Sequence, residues 1–192
     1  MMPVANNSDK ATEILNAAQM LMMDRGYNGF SFRDIATQVG IKSASIHYHY
    51  PTKADLVEAT AKAYRETFSE VLSQLTLTNA SDLLRAYGTL FVVTLRDQNG
   101  LCLGGVLAAD AKTLPDQVRV EVERFFEFQN SWVANVLREG QEIGQIRAEI
   151  DPEVFAKMFV SSLEGAMMVS RCIRQHKDLE AALEQLIKLV EH

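Results

Sequence analysis

The chain is 192 residues long, 47% apolar and 23% charged, with four prolines, ten glycines and a formal net charge of −6; this composition excludes disordered and collagen-like classes and predicts an ordered, helix-rich globule. No basic stretch precedes an apolar run at the N-terminus, and no apolar run approaches the roughly 18 residues of a membrane span, so neither a signal peptide nor a membrane partner is expected and the expected location is the cytoplasm. Cys102 and Cys172 lie far apart without metal-ligand spacing, which argues for reduced thiols and against a disulfide framework or a zinc site.

Residues 1–7, MMPVANN, carry no periodic pattern. A first helix is predicted over Lys10 to Arg25, where Ile14, Leu15, Ala18, Leu21 and Met22 fall on one face and Gly26 ends the run. Ser31 and Asp34 form an S-x-x-D capping box for a second helix with Phe32, Ile35, Ala36 and Val39 on its apolar face, stopped by Gly40. A third, short helix through Ser43, Ala44, Ser45 and Ile46 runs into His47, Tyr48, His49 and Tyr50. Pro51 closes it, because the residue before a proline avoids helical angles. Thr52 and Asp55 make another capping box and open a fourth helix from Lys53 to about Leu75.

The segment LTLTNAS, residues 75–81, breaks the pattern before Leu83, Leu84, Tyr87, Leu90, Phe91 and Thr94 resume helical spacing toward Asn99. LCLGGVLAADAK reads as a short, close-packed helix, since Gly104 and Gly105 each weaken a helix by about 1 kcal/mol relative to alanine. Pro115 and Asp116 open the next helix, with Val118, Val122, Phe125, Phe126, Trp132, Val133 and Val136 as its stripe and Gly140 at its end. Residues 142–151 form a turn. Asp151 and Pro152 then start a helix whose expected inner face is Phe155, Met158, Phe159, Ser162, Ala166, Val169 and Ile173. A last helix from near Asp178 carries Leu179, Ala182, Leu183, Leu186, Ile187 and Val190 on one side. Period-two alternation is absent, so the expected fold is all-α, about nine helices, with a three-helix head followed by a larger helical part.

Two short helices around a glycine turn, small residues first and aromatic hydrogen-bonders after, are the layout of a helix-turn-helix DNA reader, where small side chains let backbone approach base edges. The expected contacts are Ser31, Lys42, Ser43, Ala44, Ser45, His47, Tyr48, His49 and Lys53; Lys53, a cation at a helix start, suits a phosphate held there. Residues 1–53 hold five Lys/Arg against four Asp/Glu, a net +1, while residues 54–192 hold fourteen against twenty-one, a net −7. A charge of +1 attracts phosphates weakly, which predicts that two modules bind together. His47 and His49 are two apart, on different helix faces, so no metal site is expected there; no cofactor is expected either. Arg171, Arg174, His176 and Lys177 read as cations suited to a helix C-terminus. No phosphate-binding glycine loop, HExxH or GxSxG occurs, and no enzyme is expected. The alternative from another class, a helical small-molecule-binding protein with an incidental reader-like segment, predicts no salt-dependent DNA affinity.

Ala17, Ala18, Phe30, Ser31, Ile35, Ala36, Val39, Gly40, Ser45, Ile46, Tyr48, His49, Tyr50, Pro51, Lys53 and Leu56 together resemble the N-terminal domain of the TetR family of one-component transcriptional regulators, over roughly the first third of the chain. Ser43 and Ala44 stand where the family often has lysine then glycine, Lys42 lies one place earlier, and His47 replaces a frequent tyrosine, so no relative's base preference transfers. The resemblance implies a DNA-binding domain over 1–53 and an effector-binding and dimerisation domain over 54–192. It also implies a homodimer through the last two helices, with small residues Ser161, Ser162, Gly165 and Ala166 in the first of them, bound to a palindromic double-stranded operator. Repression relieved by a small molecule is the expected mode; activation is the alternative. The long fourth helix would relay effector binding by tilting the head.

Phe91, Cys102, Leu103, Phe125, Phe126, Phe128, Trp132, Met158, Phe159, Met167 and Met168 are the expected effector contacts, since family members bind effectors in this region and a dense aromatic and methionine set can line a deformable apolar cavity. Solid core is the alternative for each. Trp132, expected to be buried, needs a partner for its N–H, which an effector can supply. Cys102, beside the glycine pair, raises a third reading, a thiol sensor of electrophiles or oxidants, against the alternative of a small buried hydrophobe.

Overall fold

The computed structural model describes residues 10–98 and 100–191. Among them run nine helices, α1 (Lys10–Arg25), α2 (Phe32–Val39), α3 (Ser43–His49), α4 (Lys53–Ser73), α5 (Ala80–Gln98), α6 (Leu103–Ala109), α7 (Asp116–Glu142), α8 (Pro152–Ile173) and α9 (Lys177–Lys188), and no strand. The expected end of the fifth helix at Asn99 lies outside the described residues. No helix is long and apolar enough to cross a membrane among the described residues.

The helix ends are set by local chemistry. Asp34 accepts from both the backbone N–H (2.8 Å) and the hydroxyl (2.5 Å) of Ser31, and Gly40 stops α2 in the left-handed region at φ 73, where a side chain is disfavoured. Tyr50 is extended at φ −134, ψ 99, as Pro51 demands. Asp55 accepts from Thr52 N–H and hydroxyl (2.9 and 2.7 Å) while its own N–H donates to Thr52 Oγ1 (3.1 Å), a reciprocal cap at the start of α4. At α8, Asp151 Oδ1 accepts from the N–H groups of Glu153 and Val154, with Pro152 following it. Arg174 ends α8 at φ 57, a left-handed position held without glycine.

The chain packs as two compact units. The first comprises the residues through Val71 together with Cys102–Phe125. Its core takes Ile14, Ala18 and Met22 from α1, Ile35 from α2, Ile46 from α3, Leu56, Val57 and Phe68 from α4, and Leu103 and Leu107 from α6. Tyr64, Phe68 and Phe125 close it as an aromatic trio with centroids 5.4 to 6.5 Å apart. Gly104 has a packing reason: a Cβ there would lie 2.4 Å from the Phe125 ring. The second unit, Leu72–Leu101 with Phe126–His192, buries Leu84, Tyr87 and Leu95 of α5 against helices α8 and α9.

Two expected faces need correction. On α7 the buried row is Val118, Val122, Phe125, Gln129, Val133, Val136 and Gly140, and Phe126 and Trp132 sit at its half-buried margin. On α8 the core takes Phe155, Ala156, Phe159, Val160, Leu163 and Met167, whereas Met158, Val169 and Ile173, expected inside, are exposed together with Val154 and Met168. α8 is apolar on two sides, and helical period alone does not say which side the chain itself covers.

Candidate DNA-binding site

Of the seven residues of α3, only Ile46 is buried. It seats the helix on α2, and the opposite side presents Ala44, Ser45, His47, Tyr48 and His49 to solvent, with Lys42 exposed at the N-cap and Ser43 half-buried. Tyr48 is 87% exposed, and its ring meets only the edge of His49, at 5.4 Å, among the aromatic contacts described. A short helix with a single anchor and an outward tyrosine has the form of a probe, since the phenol can hydrogen-bond a phosphate while the small Ala44 and Ser45 leave room for base edges.

Three of the expected contacts are also occupied within the chain. The His47 ring lies 4.6 Å from Phe32 and its Nδ1 is 3.2 Å from the Pro51 carbonyl; a carbonyl only accepts, so Nδ1–H is the donor in this contact. The Ser31 N–H and hydroxyl both donate to Asp34, so this serine gives no proton to a phosphate while the cap is intact. Lys53 Nζ donates to the Phe30 carbonyl at 2.6 Å and lies over the rings of Phe30 and Tyr27 at 4.2 and 4.9 Å. Burial lowers its pKa, opposed by the charges of Asp34 and Asp110. The lysine therefore ties the start of α4 to the α1–α2 connection through one hydrogen bond and two ring contacts.

Both capping carboxylates are held below the usual range, Asp34 first by the Ser31 hydroxyl and Asp55 first by the Thr52 hydroxyl, with Gln117 Nε2 donating to Asp55 as well. A folded-state pKa below the unfolded value stabilises the fold fully above the ordinary carboxylate value of about 4 and loses that effect as pH falls through the lowered value. Acid unfolding followed by circular dichroism is thus expected to begin below about pH 4, and Asp34→Asn with Asp55→Asn to flatten that limb while lowering stability at neutral pH. An unchanged acid limb in the double variant contradicts the assignment.

A feature the sequence did not reveal is the anchoring of the head by Asp110, just after α6. Its Oδ2 accepts from Tyr27 N–H at 2.7 Å, and Asn28 Nδ2 donates to Thr113 Oγ1 at 2.9 Å. Gly26, at φ 76, admits this approach, since a Cβ there would lie 2.7 Å from Asp110 Oδ2. An isolated aspartate after a short helix carries no sequence signal for a partner 83 positions away.

The expected effector residues are divided among three places. Cys102, Leu103 and Phe125 belong to the first unit, where Leu103 and Phe125, with Tyr64 and Glu121, line a space of about 10 Å³, room for about one water. Glu121, buried there, is held by Arg65 at 3.4 Å and by Arg124. Cys102 is 3% exposed, which denies an electrophile the access that a sensing thiol needs. In the second unit Tyr87 gathers Phe91, Trp132 and Phe159 at 5.5, 5.6 and 5.9 Å, with Met167 buried and Phe126 and Phe128 half-buried. Met158 and Met168 lie on the exposed side of α8, and Met168 borders an open groove of about 730 Å³ with Leu101, Arg171, Cys172, Arg174 and His176. Trp132, expected to be buried, is half-buried and stacked on Tyr87 at 17°.

Comparison with known proteins accords with this geometry. Residues 14–60 match the family model described as bacterial regulatory proteins, tetR family, and residues 82–186 match that of the tetracyclin repressor-like C-terminal domain. The chain is 27% identical over 177 residues to the HTH-type transcriptional repressor DhaR of Mycobacterium sp. (strain GP1), covering 88% of this chain and 86% of that protein. A TetR transcriptional regulator from Legionella pneumophila superposes with a TM-score of 0.88 at 30% identity, over 97% of this chain and 100% of its own. A TetR-family regulator from Agrobacterium tumefaciens gives 0.91 at 29% identity, over 95% and 98%. The chain belongs to the TetR family of DNA-binding transcriptional regulators, which are not enzymes.

Proposed function

We propose that the protein is a homodimeric repressor that binds a palindromic operator with two copies of α3 and leaves it when a small apolar effector binds. The reading is assigned to residues 1–53, with Lys42, Ser43, Ala44, Ser45, His47, Tyr48, His49 and Lys53 facing DNA and Ser31 holding the start of α2. Effector binding and pairing are assigned to residues 54–192. The carrying observation is the outward face of α3, with Tyr48 87% exposed over a single buried anchor, Ile46. Pairing through α8 and α9 is supported by the apolar side of α8 that the chain leaves exposed, Val154, Met158, Val169 and Ile173, alongside the small residues Ser161, Ser162, Gly165 and Ala166. A self-complementary patch of this kind suits a twofold interface, and twofold pairing compensates for a head of net charge +1. Repression, as against activation, is favoured by the name of the relative DhaR.

Tyr48→Ala with Lys53→Ala is expected to weaken operator binding by about tenfold or more and to reduce the slope of log affinity against log salt by about one for each phosphate that Lys53 no longer neutralises. Fluorescence anisotropy on a fragment from the chain's own upstream region, at several salt concentrations, measures both. Affinity and slope equal to those of the parent would refute the assigned contacts.

A further inference from the structure

Buried polar side chains are normally matched, and an unmatched one calls for a reason. Several of those among the described residues conform. Thr60 and Thr94 donate to carbonyls of their own helices, Leu56 at 2.7 Å and Leu90 at 2.8 Å, and Glu121 meets Arg65 and Arg124. Gln129 does not. It stands in the buried row of α7 between Phe125 and Val133, fully enclosed at 0% exposure, and its Oε1 accepts the hydroxyl proton of Tyr87. Its Nε2 finds no acceptor among the described residues.

The carboxamide is not free to turn away. Reversing it would set the NH₂ group against the Tyr87 hydroxyl and leave Oε1 unmatched in its place, so in either orientation one end lacks a partner. Tyr87 in turn is packed by Phe91, Phe159 and the stacked ring of Trp132, and Trp132 is the member of this group that keeps partial contact with solvent. A fixed donor pair beside an aromatic floor, next to a ring that keeps contact with solvent, is how an apolar site selects one polar atom of its guest. Leaving a buried N–H unmatched is unfavourable, and an incoming acceptor recovers that cost.

We infer that Gln129 reads an oxygen of the effector: the molecule is neutral and largely apolar, with one carbonyl or ether oxygen that accepts from Gln129 Nε2 while its body lies against Tyr87 and Trp132. Neutrality follows because a carboxamide brings no charge to offset a buried anion. The inference rests on the effector role proposed above and narrows its chemistry.

Trp132 is the only tryptophan of the chain, so its emission reports the site directly. The full-length protein and its Gln129→Met variant are titrated with two matched pairs of probes, 4-phenyl-2-butanone against (3-methylbutyl)benzene and cyclohexyl methyl ketone against isopropylcyclohexane. Each ketone is expected to perturb the emission. The ratio of ketone to hydrocarbon affinity is expected to fall at least tenfold in Gln129→Met, with hydrocarbon binding retained; Gln129→Leu gives the same comparison if the methionine variant is poorly folded. An unchanged ratio, or wild-type binding of the hydrocarbons alone, overturns the inference. Operator release by the same probes separates the two levels. Hydrocarbons that bind and release DNA without any ketone advantage leave the apolar-effector reading standing and sink this one, whereas four probes that neither alter emission nor release DNA sink both.

Discussion

Val169→Asp is expected to convert the protein to a monomer and to lower operator affinity by about 10²–10⁴, the range over which a second linked contact raises binding. Val169 is 58% exposed on the side of α8 that also shows Val154, Met158 and Ile173, and Gly165 on the same helix faces open space, with no atom within 4 Å of a built Cβ. An aspartate in that patch would be buried without a partner on pairing, which disfavours association strongly. It touches none of the side chains on the core side, Phe155, Phe159, Leu163 and Met167, so the thermal midpoint at a concentration where the parent is monomeric should stay unchanged. Sedimentation equilibrium and anisotropy on operator DNA read the two effects. A dimer that survives the substitution with full DNA affinity would move the interface elsewhere.

Ile46→Ala is expected to cost about 2–5 kcal/mol, the usual range for emptying a fully buried aliphatic position, and to abolish operator binding. The size of the effect follows from the shortness of α3, seven residues with one buried side chain; so short a helix has no stability of its own in water and depends on that anchor. Tyr48→Ala makes the opposite case. Its ring supports nothing inside the chain, so denaturant unfolding should place it within about 0.5 kcal/mol of the parent although DNA binding suffers. Equal unfolding curves for Ile46→Ala and the parent would show that α3 is held by something other than Ile46.

How far the sequence could be read depended on the range of the forces involved. The ends of α1, α2, α3 and α8 were legible because each is set within a few residues: Gly26, the Ser31–Asp34 pair, Tyr50 before Pro51, Asp151 before Pro152. The orientation of α8 was not, since a helix apolar on two sides gives the same period whichever side is covered, and Met158, Val169 and Ile173 turned outward. The tie from Asp110 to Tyr27 spans 83 positions and leaves no local trace. Lys53 was readable as a cation at a helix start, but not as one seated on Phe30 and Tyr27, because the α1–α2 connection that brings those rings to it has no period. Gln129 was overlooked for a different reason. A polar residue in an apolar row looks like a gap in the stripe, and only its enclosure at 0% exposure with an unmatched Nε2 marks it as a reader. The expected effector set rests on the family's usual effector region and on aromatic and methionine density, neither of which fixes a side chain's position, and so it mixes the Cys102–Phe125 cluster, the Tyr87 group and two methionines on the outside of α8.

The central claim, that two weakly charged heads act together on duplex DNA through α3, is tested most directly by hydroxyl-radical footprinting of the full chain on fragments selected from genomic DNA. The account predicts two protected patches about one or more helical turns apart, related by a dyad in the sequence, both weakening steeply between about 50 and 200 mM salt and both needing about tenfold or more protein in Tyr48→Ala with Lys53→Ala. A single protected patch, or protection indifferent to salt and to those substitutions, would contradict it.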